Sequence, residues 1–245
     1  MARPYLCRSS LEPVSQPLHH HRMKITYLLL LVMAVGCAQK SITSSQVQPG
    51  PTHPCFTAAG KGDVDYIKNN IETCKSLHNQ YGTTPLMLAS AKGHEDVINT
   101  LVQSGTDVNA QDGDNSTAIN YAAVTNQVGA ATLLVLSGAD LESKRPDGIS
   151  VLMTAVQTGS PQMIRVLTST HQAINAVNED GWTPLYFAIR RQDPGLLDYL
   201  LHQGACKNTV DKEKISPVAF AKEVGWKEGI QILNSAPACG KTASP

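Results

Sequence analysis

A 33-residue period runs along this chain, and it constrains the fold more than any other feature. Ala89, Ala122, Ala155, Ala188 and Ala221 stand at that one constant interval. The same step carries Thr84-Pro85-Leu86 onto Thr117-Ala118-Ile119, Ser150-Val151-Leu152, Thr183-Pro184-Leu185 and Ser216-Pro217-Val218. A shorter copy precedes them, with Ala58 two positions closer to Ala89 than the period requires. Several independent features repeat together, which excludes an ordinary helical bundle with accidental periodicity as the leading reading.

Residues 178–210 show what one unit encodes. Asp180-Gly181 supplies a tight turn, because glycine takes positive φ without steric cost. Thr183 suits a helix cap and Pro184 suits the first turn, where a missing N–H costs nothing. Leu185, Ala188 and Ile189 then follow helical spacing, and Ala188 is small enough for close packing. A second helical run from Leu196 to His202 stops at Gly204, and Gly105 and Gly138 repeat that stop. One such unit cannot bury its apolar face alone, so the units must stack into a continuous core. About six of them span 54–235, with polar Asn69, Asn70, Lys222 and Asn234 giving the end units the character of caps.

The period, the Thr-Pro-Leu start and the small residue after it resemble the ankyrin repeat. The resemblance implies an all-α solenoid of stacked helix pairs with β-hairpin-like connections. The family's usual histidine after Thr-Pro-Leu is absent here; Met87, Asn120, Met153, Tyr186 and Ala219 take its place. Asn115 and Lys214 replace turn glycines, and lysine tolerates left-handed geometry less well than asparagine. An irregular or loose hairpin is therefore expected near residues 212–214.

Ankyrin arrays bind partners through hairpin tips and the adjoining face of the first helices. Carried over position by position, this implies an interaction surface of Tyr81, Asp114, Ser116, Asp147, Ile149, Gln157, Glu179, Asp180, Trp182, Arg190 and Arg191. Trp182 with Arg190 and Arg191 is its sharpest cluster, since tryptophan and arginine dominate interface hot spots. Alternatively, Trp182 covers the neighbouring hairpin and both arginines are simply solvated. Tyr121, Phe187 and Phe220 share a register that such arrays bury, so they are assigned to the core.

The front of the chain reads as an address. Tyr27 to Met33 form an apolar run too short to span a bilayer comfortably but suited to a signal peptide. Ala34-Val35-Gly36-Cys37 resembles the lipobox of bacterial lipoproteins, although Ala34 departs from the usual leucine. The resemblance implies cleavage before Cys37 and acylation of that cysteine, giving a membrane anchor. Residues 1–22, with Pro4, Pro13, Pro17 and three adjacent histidines, fit no targeting segment, so translation is expected to begin at Met23. Residues 23–36 then form the signal peptide and 37–53 the lipidated cysteine with a Ser-, Gln-, Thr- and Pro-rich tether reaching at most ~50 Å. Ala38 rather than aspartate follows the cysteine, which in that family favours the outer membrane, facing the periplasm. Residues 236–245 form a C-terminal tail.

In an oxidising envelope, Cys55–Cys74 and Cys206–Cys239 are the simplest pairings, each stapling one end of the array. Free thiols are the alternative. The whole chain has 20 basic and 20 acidic residues; without residues 1–36, 16 basic and 19 acidic remain. No long basic run interrupts the repeats, so nucleic-acid binding has no basis.

Active-site grammar is sparse. Gly240-Lys241-Thr242 lacks the glycine loop that cradles phosphate, and Asp112-Gly113-Asp114-Asn115 lacks the distal glutamate of a calcium loop. Ser150 lacks the second glycine of a nucleophile elbow, and the histidines are scattered over different units. The expectation is a chain that is not an enzyme, needs no cofactor or metal and takes no small-molecule substrate. It is expected to bind a protein at the bacterial envelope, as an inhibitor or immunity protein for a periplasmic enzyme or toxin. The alternative is a structural or assembly factor for an envelope complex.

Overall fold

The computed structural model describes residues 53–170 and 173–237. The expectations for residues 1–52, including the lipidated Cys37, lie outside them, as does Cys239. The first repeat holds α1 (Pro54–Lys61), α2 (Val64–Asn69) and the short α3 (Ile71–Cys74). Five helix pairs follow: α4 (Pro85–Lys92) with α5 (Glu95–Gln103), and α6 (Ala118–Val124) with α7 (Val128–Leu136). Then come α8 (Val151–Thr158) with α9 (Pro161–Thr168), α10 (Pro184–Arg191) with α11 (Pro194–His202), and α12 (Pro217–Glu223) with α13 (Lys227–Ser235). First helices stack on first helices and second on second, and no named strand occurs among the described residues.

First helices start on local side-chain bonds, except that Thr183, expected to cap α10, makes none and keeps its hydroxyl buried. The Thr84 hydroxyl accepts the Met87 N–H at 3.3 Å, while the Met87 sulfur accepts the Thr84 N–H at 3.3 Å. Ser150 and Met153 repeat the exchange, and Asn120 Oδ1 accepts both the N–H and the hydroxyl of Thr117, at 3.0 and 2.9 Å. Sulfur and amide oxygen thus close the reciprocal cap that satisfies helix-start N–H groups.

The five periodic alanines are all fully buried, which lets neighbouring first helices approach closely. Second helices contribute the larger apolar groups, among them Ile98, Leu101, Leu134, Met163, Leu167, Leu197 and Leu200. Burying such a side chain is worth about 1.5–3 kcal/mol. Cys55 and Cys74 are joined by a disulfide with Cα atoms 5.4 Å apart, tying the start of α1 to the end of α3. Cys206 is also disulfide-bonded.

Five hairpins connect the repeats, at residues 79–83, 112–116, 145–149, 178–182 and 211–215. In every one the first residue donates its N–H to the fifth residue's carbonyl, at 3.0–3.2 Å. The first side chain closes four of them: Oδ1 of Asn79, Asp112, Asn178 and Asp211 accepts the N–H of Thr83, Ser116, Trp182 and Ile215. Arg145 cannot accept, and there Asp147 takes over, accepting the Ile149 N–H at 3.1 Å and holding Arg145 at 2.8 Å. The loose hairpin expected near residues 212–214 is not found. Lys214 takes φ 62°, and the buried Asp211 carboxylate, 2.8 Å from the Ile215 N–H, holds the turn despite the lysine.

Candidate interaction face

The hairpins hold their tips out to solvent, and the tips decide what the array can touch. Tyr81 is 54% exposed, and Asp114, Asp147, Glu179 and Asp180 are exposed as well. Asp114, Asp147 and Asp180 stand one repeat apart, and the same step lands on exposed Glu213. The position-by-position reading missed Glu213, although the period itself already carried the signal. Ser116, expected on this surface, is only 2% exposed; its N–H and carbonyl are both spent inside the hairpin. Ile149 is half-buried, while Gln157 is exposed at the end of α8.

The tryptophan cluster divides. Trp182 is half-buried and stacks on Tyr186 with ring centroids 5.8 Å apart and planes 14° apart. It meets Phe187 edge-on at 5.7 Å and Phe220 of the next repeat at 5.1 Å. Phe187 and Phe220 are buried, and Tyr121 is half-buried with its hydroxyl donating to Asp112 at 2.6 Å. Arg190 is exposed, with its guanidinium carbon 5.6 Å from the Trp182 centroid and 5.1 Å from Phe187. Desolvation against these rings lowers its pKa, yet a guanidinium stays charged at any physiological pH. Trp182 therefore serves chiefly as the platform that presents Arg190. Arg191 is spent elsewhere: its Nη1 donates to the Gln157 carbonyl at 2.9 Å, capping α8 of the preceding repeat.

Two tyrosines beneath this face have raised pKa values. Burial, then the Asp112 hydrogen bond and charge, raises that of Tyr121. Burial and the nearby Asp211 charge push Tyr186 up to about 12. Tyr186 fills a histidine position of the motif, and its hydroxyl donates to the carbonyls of Ile215 at 2.7 Å and Thr209 at 3.3 Å.

A shallow cavity of about 360 Å³ between the first two repeats is lined by Lys75, His78, Thr106, Asp107 and Gln111. No group of three or more His, Cys, Asp or Glu among the described residues could hold a metal ion. No described helix is long and apolar enough to cross a membrane.

This geometry, helix pairs stacked at a constant period with projecting hairpins, defines a repeat scaffold for recognition. The chain matches the family described as ankyrin repeats (3 copies) over residues 28–112, 55–145 and 119–211. It belongs to the ankyrin-repeat family. Among solved structures it is similar to an ankyrin repeat domain from Acinetobacter baumannii AYE, with 29% identity and TM-score 0.70 over 76% of this chain and 98% of that one. A chain from the complex of the Bd0816 predatory endopeptidase of Bdellovibrio bacteriovorus with immunity protein Bd3460 shares the fold at 24% identity. That likeness has TM-score 0.64 and covers 74% of this chain and 96% of the other. The human neurogenic locus notch homolog protein 1 is 34% identical over 83 residues, 34% of this chain but only 3% of that protein's length.

Proposed function

We propose that this protein is a recognition module held at the bacterial envelope by a lipid on Cys37. In this reading it keeps a periplasmic enzyme or toxin inactive, as an inhibitor or immunity protein. One observation carries the reading: Tyr81, Asp114, Asp147 and Asp180 project from rigid hairpins one repeat apart, beside Arg190 on its aromatic platform. Each hairpin is held by its own backbone and side-chain bonds, which lowers the ordering cost of binding, and the acidic tips suit a partner with a basic face. The fold shared with a chain from an endopeptidase–immunity protein complex supports the inhibitory form of the reading. The lipobox-like Ala34-Val35-Gly36-Cys37 supports the anchor.

Crosslinking in cells with the intact protein, followed by capture, tests the reading. A parallel Tyr81→Ala/Asp114→Asn/Asp147→Asn/Asp180→Asn/Arg190→Ala variant locates the site. One dominant partner, lost in the variant and inhibited by the wild type in a purified assay, is expected. A partner retained by the variant would move the site off the hairpin tips, and absence of any specific partner would defeat the recognition reading. Cys37→Ser should shift the protein from the membrane to the soluble fraction; unchanged membrane retention would refute the anchor.

A further inference from the structure

Neighbouring repeats in this array are cross-linked by a small set of polar bonds that recur at fixed positions. Along the hairpins, backbone N–H groups donate to the preceding hairpin's carbonyl: Gly113 to Tyr81 at 2.8 Å, Glu179 to Asp147 at 3.4 Å, Lys212 to Asp180 at 2.9 Å. These donors share one register of the repeat, and in that register the third hairpin carries Pro146. Proline has no N–H to donate, so the bond to Asp114 cannot form.

A second position changes at the same place. Gly82, Gly148 and Gly181 adopt positive φ, and a Cβ on any of them would lie 2.6–3.0 Å from backbone of the following hairpin. They are glycines because the next hairpin rests on them. The equivalent residue facing the third hairpin is Asn115, whose Cβ denies that close approach. The only other non-glycine in the register is Lys214, in the last of the five hairpins. Glycine is thus missing where no docked hairpin follows.

The loops at the far end of the helices follow suit. Asn109 donates to the Gly138 carbonyl at 3.2 Å and accepts the Asp140 N–H at 2.8 Å. Asn175 does the same with Gly204 at 3.1 Å and Cys206 at 2.7 Å. Between them in register stands Glu142, whose carboxylate cannot donate to a carbonyl. Long side chains at first-helix ends also bridge neighbours: His94 and Arg191 reach back to Gly60 and Gln157, and Gln192 reaches forward to Val224. Between the third and fourth repeats those positions hold Ser160, Thr158 and Asn126, each shorter than its bridging counterpart. Between the third unit, 112–144, and the fourth, 145–177, the described residues show a single polar bond, from the exposed Lys144 Nζ to the Val177 carbonyl at 2.9 Å, and none of the recurring ones.

We infer that the array is built as two three-repeat blocks, meeting at a seam between the third and fourth repeats that slides and opens as a unit. The seam is held by apolar packing of buried Ile119, Ala122 and Leu134 with Val151, Ala155 and Met163, which is non-directional and tolerates shear. In a repeat array, stability is a sum of unit terms and nearest-neighbour interface terms, so the interface that lacks the recurring cross-links, with one exposed lysine bond among its described residues, is where cooperativity breaks. The device bends the row of hairpin tips at its midpoint, between Asp114 and Asp147.

The two tryptophans, Trp182 and Trp226, both lie in the C-terminal block, which supplies a built-in reporter. Urea unfolding of the full oxidised chain should give a tryptophan-fluorescence midpoint separate from the far-UV circular-dichroism midpoint, since dichroism reports both blocks. Asn115→Gly/Pro146→Glu, which restores the donor and the close approach, should merge the two midpoints. Coincident curves for the wild type, or a separation unchanged in a folded double variant, would overturn the inference. Native-state hydrogen exchange on the wild type decides the matter if that variant does not fold. Amides of α4–α7 and of α8–α13 should then fall into two groups with different opening free energies, and a single shared value for both would equally overturn it.

Discussion

Tyr186→Phe tests whether the histidine position of the motif has been refilled by a working cross-link. The ring is fully buried, and phenylalanine keeps its shape, so the substitution leaves no cavity and removes only the hydroxyl. That hydroxyl donates to Ile215 at 2.7 Å and Thr209 at 3.3 Å, joining the fifth repeat to the hairpin that opens the sixth. Losing a partner for buried carbonyls costs about 1–3 kcal/mol. The low end applies here, because the Ile215 carbonyl still accepts the Asp211 N–H at 3.1 Å and both residues are half-buried. A loss of about 1 kcal/mol corresponds to a fall in Tm of roughly 2–4 °C for a domain of this size. Thermal and urea denaturation followed by circular dichroism would measure it, with amide exchange at residues 211–215 as the local reading. Stability equal to wild type would refute the reasoning, since a hydroxyl bonded this way cannot be silent. A loss above about 3 kcal/mol would refute it too, because no broken contact in the structure is that large.

Alkaline pH supplies a related expectation. The folded-state pKa of Tyr186, about 12, lies above its ordinary 10.0, so its contribution to stability is complete below pH 10 and is lost as pH rises toward 12. Tyr186→Phe should therefore narrow its stability gap to wild type across that window; a constant gap would contradict the assignment. Gly148→Ala should cost clearly more than Gly138→Ala, because both take positive φ but only Gly148 has backbone, Glu179 N, 2.6 Å from a new Cβ. Equal losses in urea unfolding would mean that the fourth hairpin does not rest on Gly148. Reducing Cys55–Cys74, which spans a sequence separation of 19, should destabilise the first repeat by about 3 kcal/mol. Proteolysis with and without reductant would read this as new cleavage within residues 54–74, and an unchanged digest would argue against a staple.

The helix starts and the glycine stops were legible in the sequence because each is a local device within one unit, and the period because those devices recur at a fixed step. Thr84 caps its helix and Ala89 packs small for reasons contained in a few neighbouring residues. The aspartates of the tips could be placed for the same reason, since a hairpin projects whatever stands at its apex. Much of what the tertiary structure alone decided lies between units, in contacts spanning 29–34 residues of chain, and the rest in how each hairpin and first helix pack together. It spends Arg191 on capping α8, folds Trp182 into a platform for Arg190 and buries Ser116 within its hairpin. It also holds Lys214 in a regular turn through Asp211. Periodicity names the equivalent positions, but which of them bridge to a neighbour depends on reach, donor chemistry and the room left for a Cβ. Those quantities exist only once the repeats are stacked.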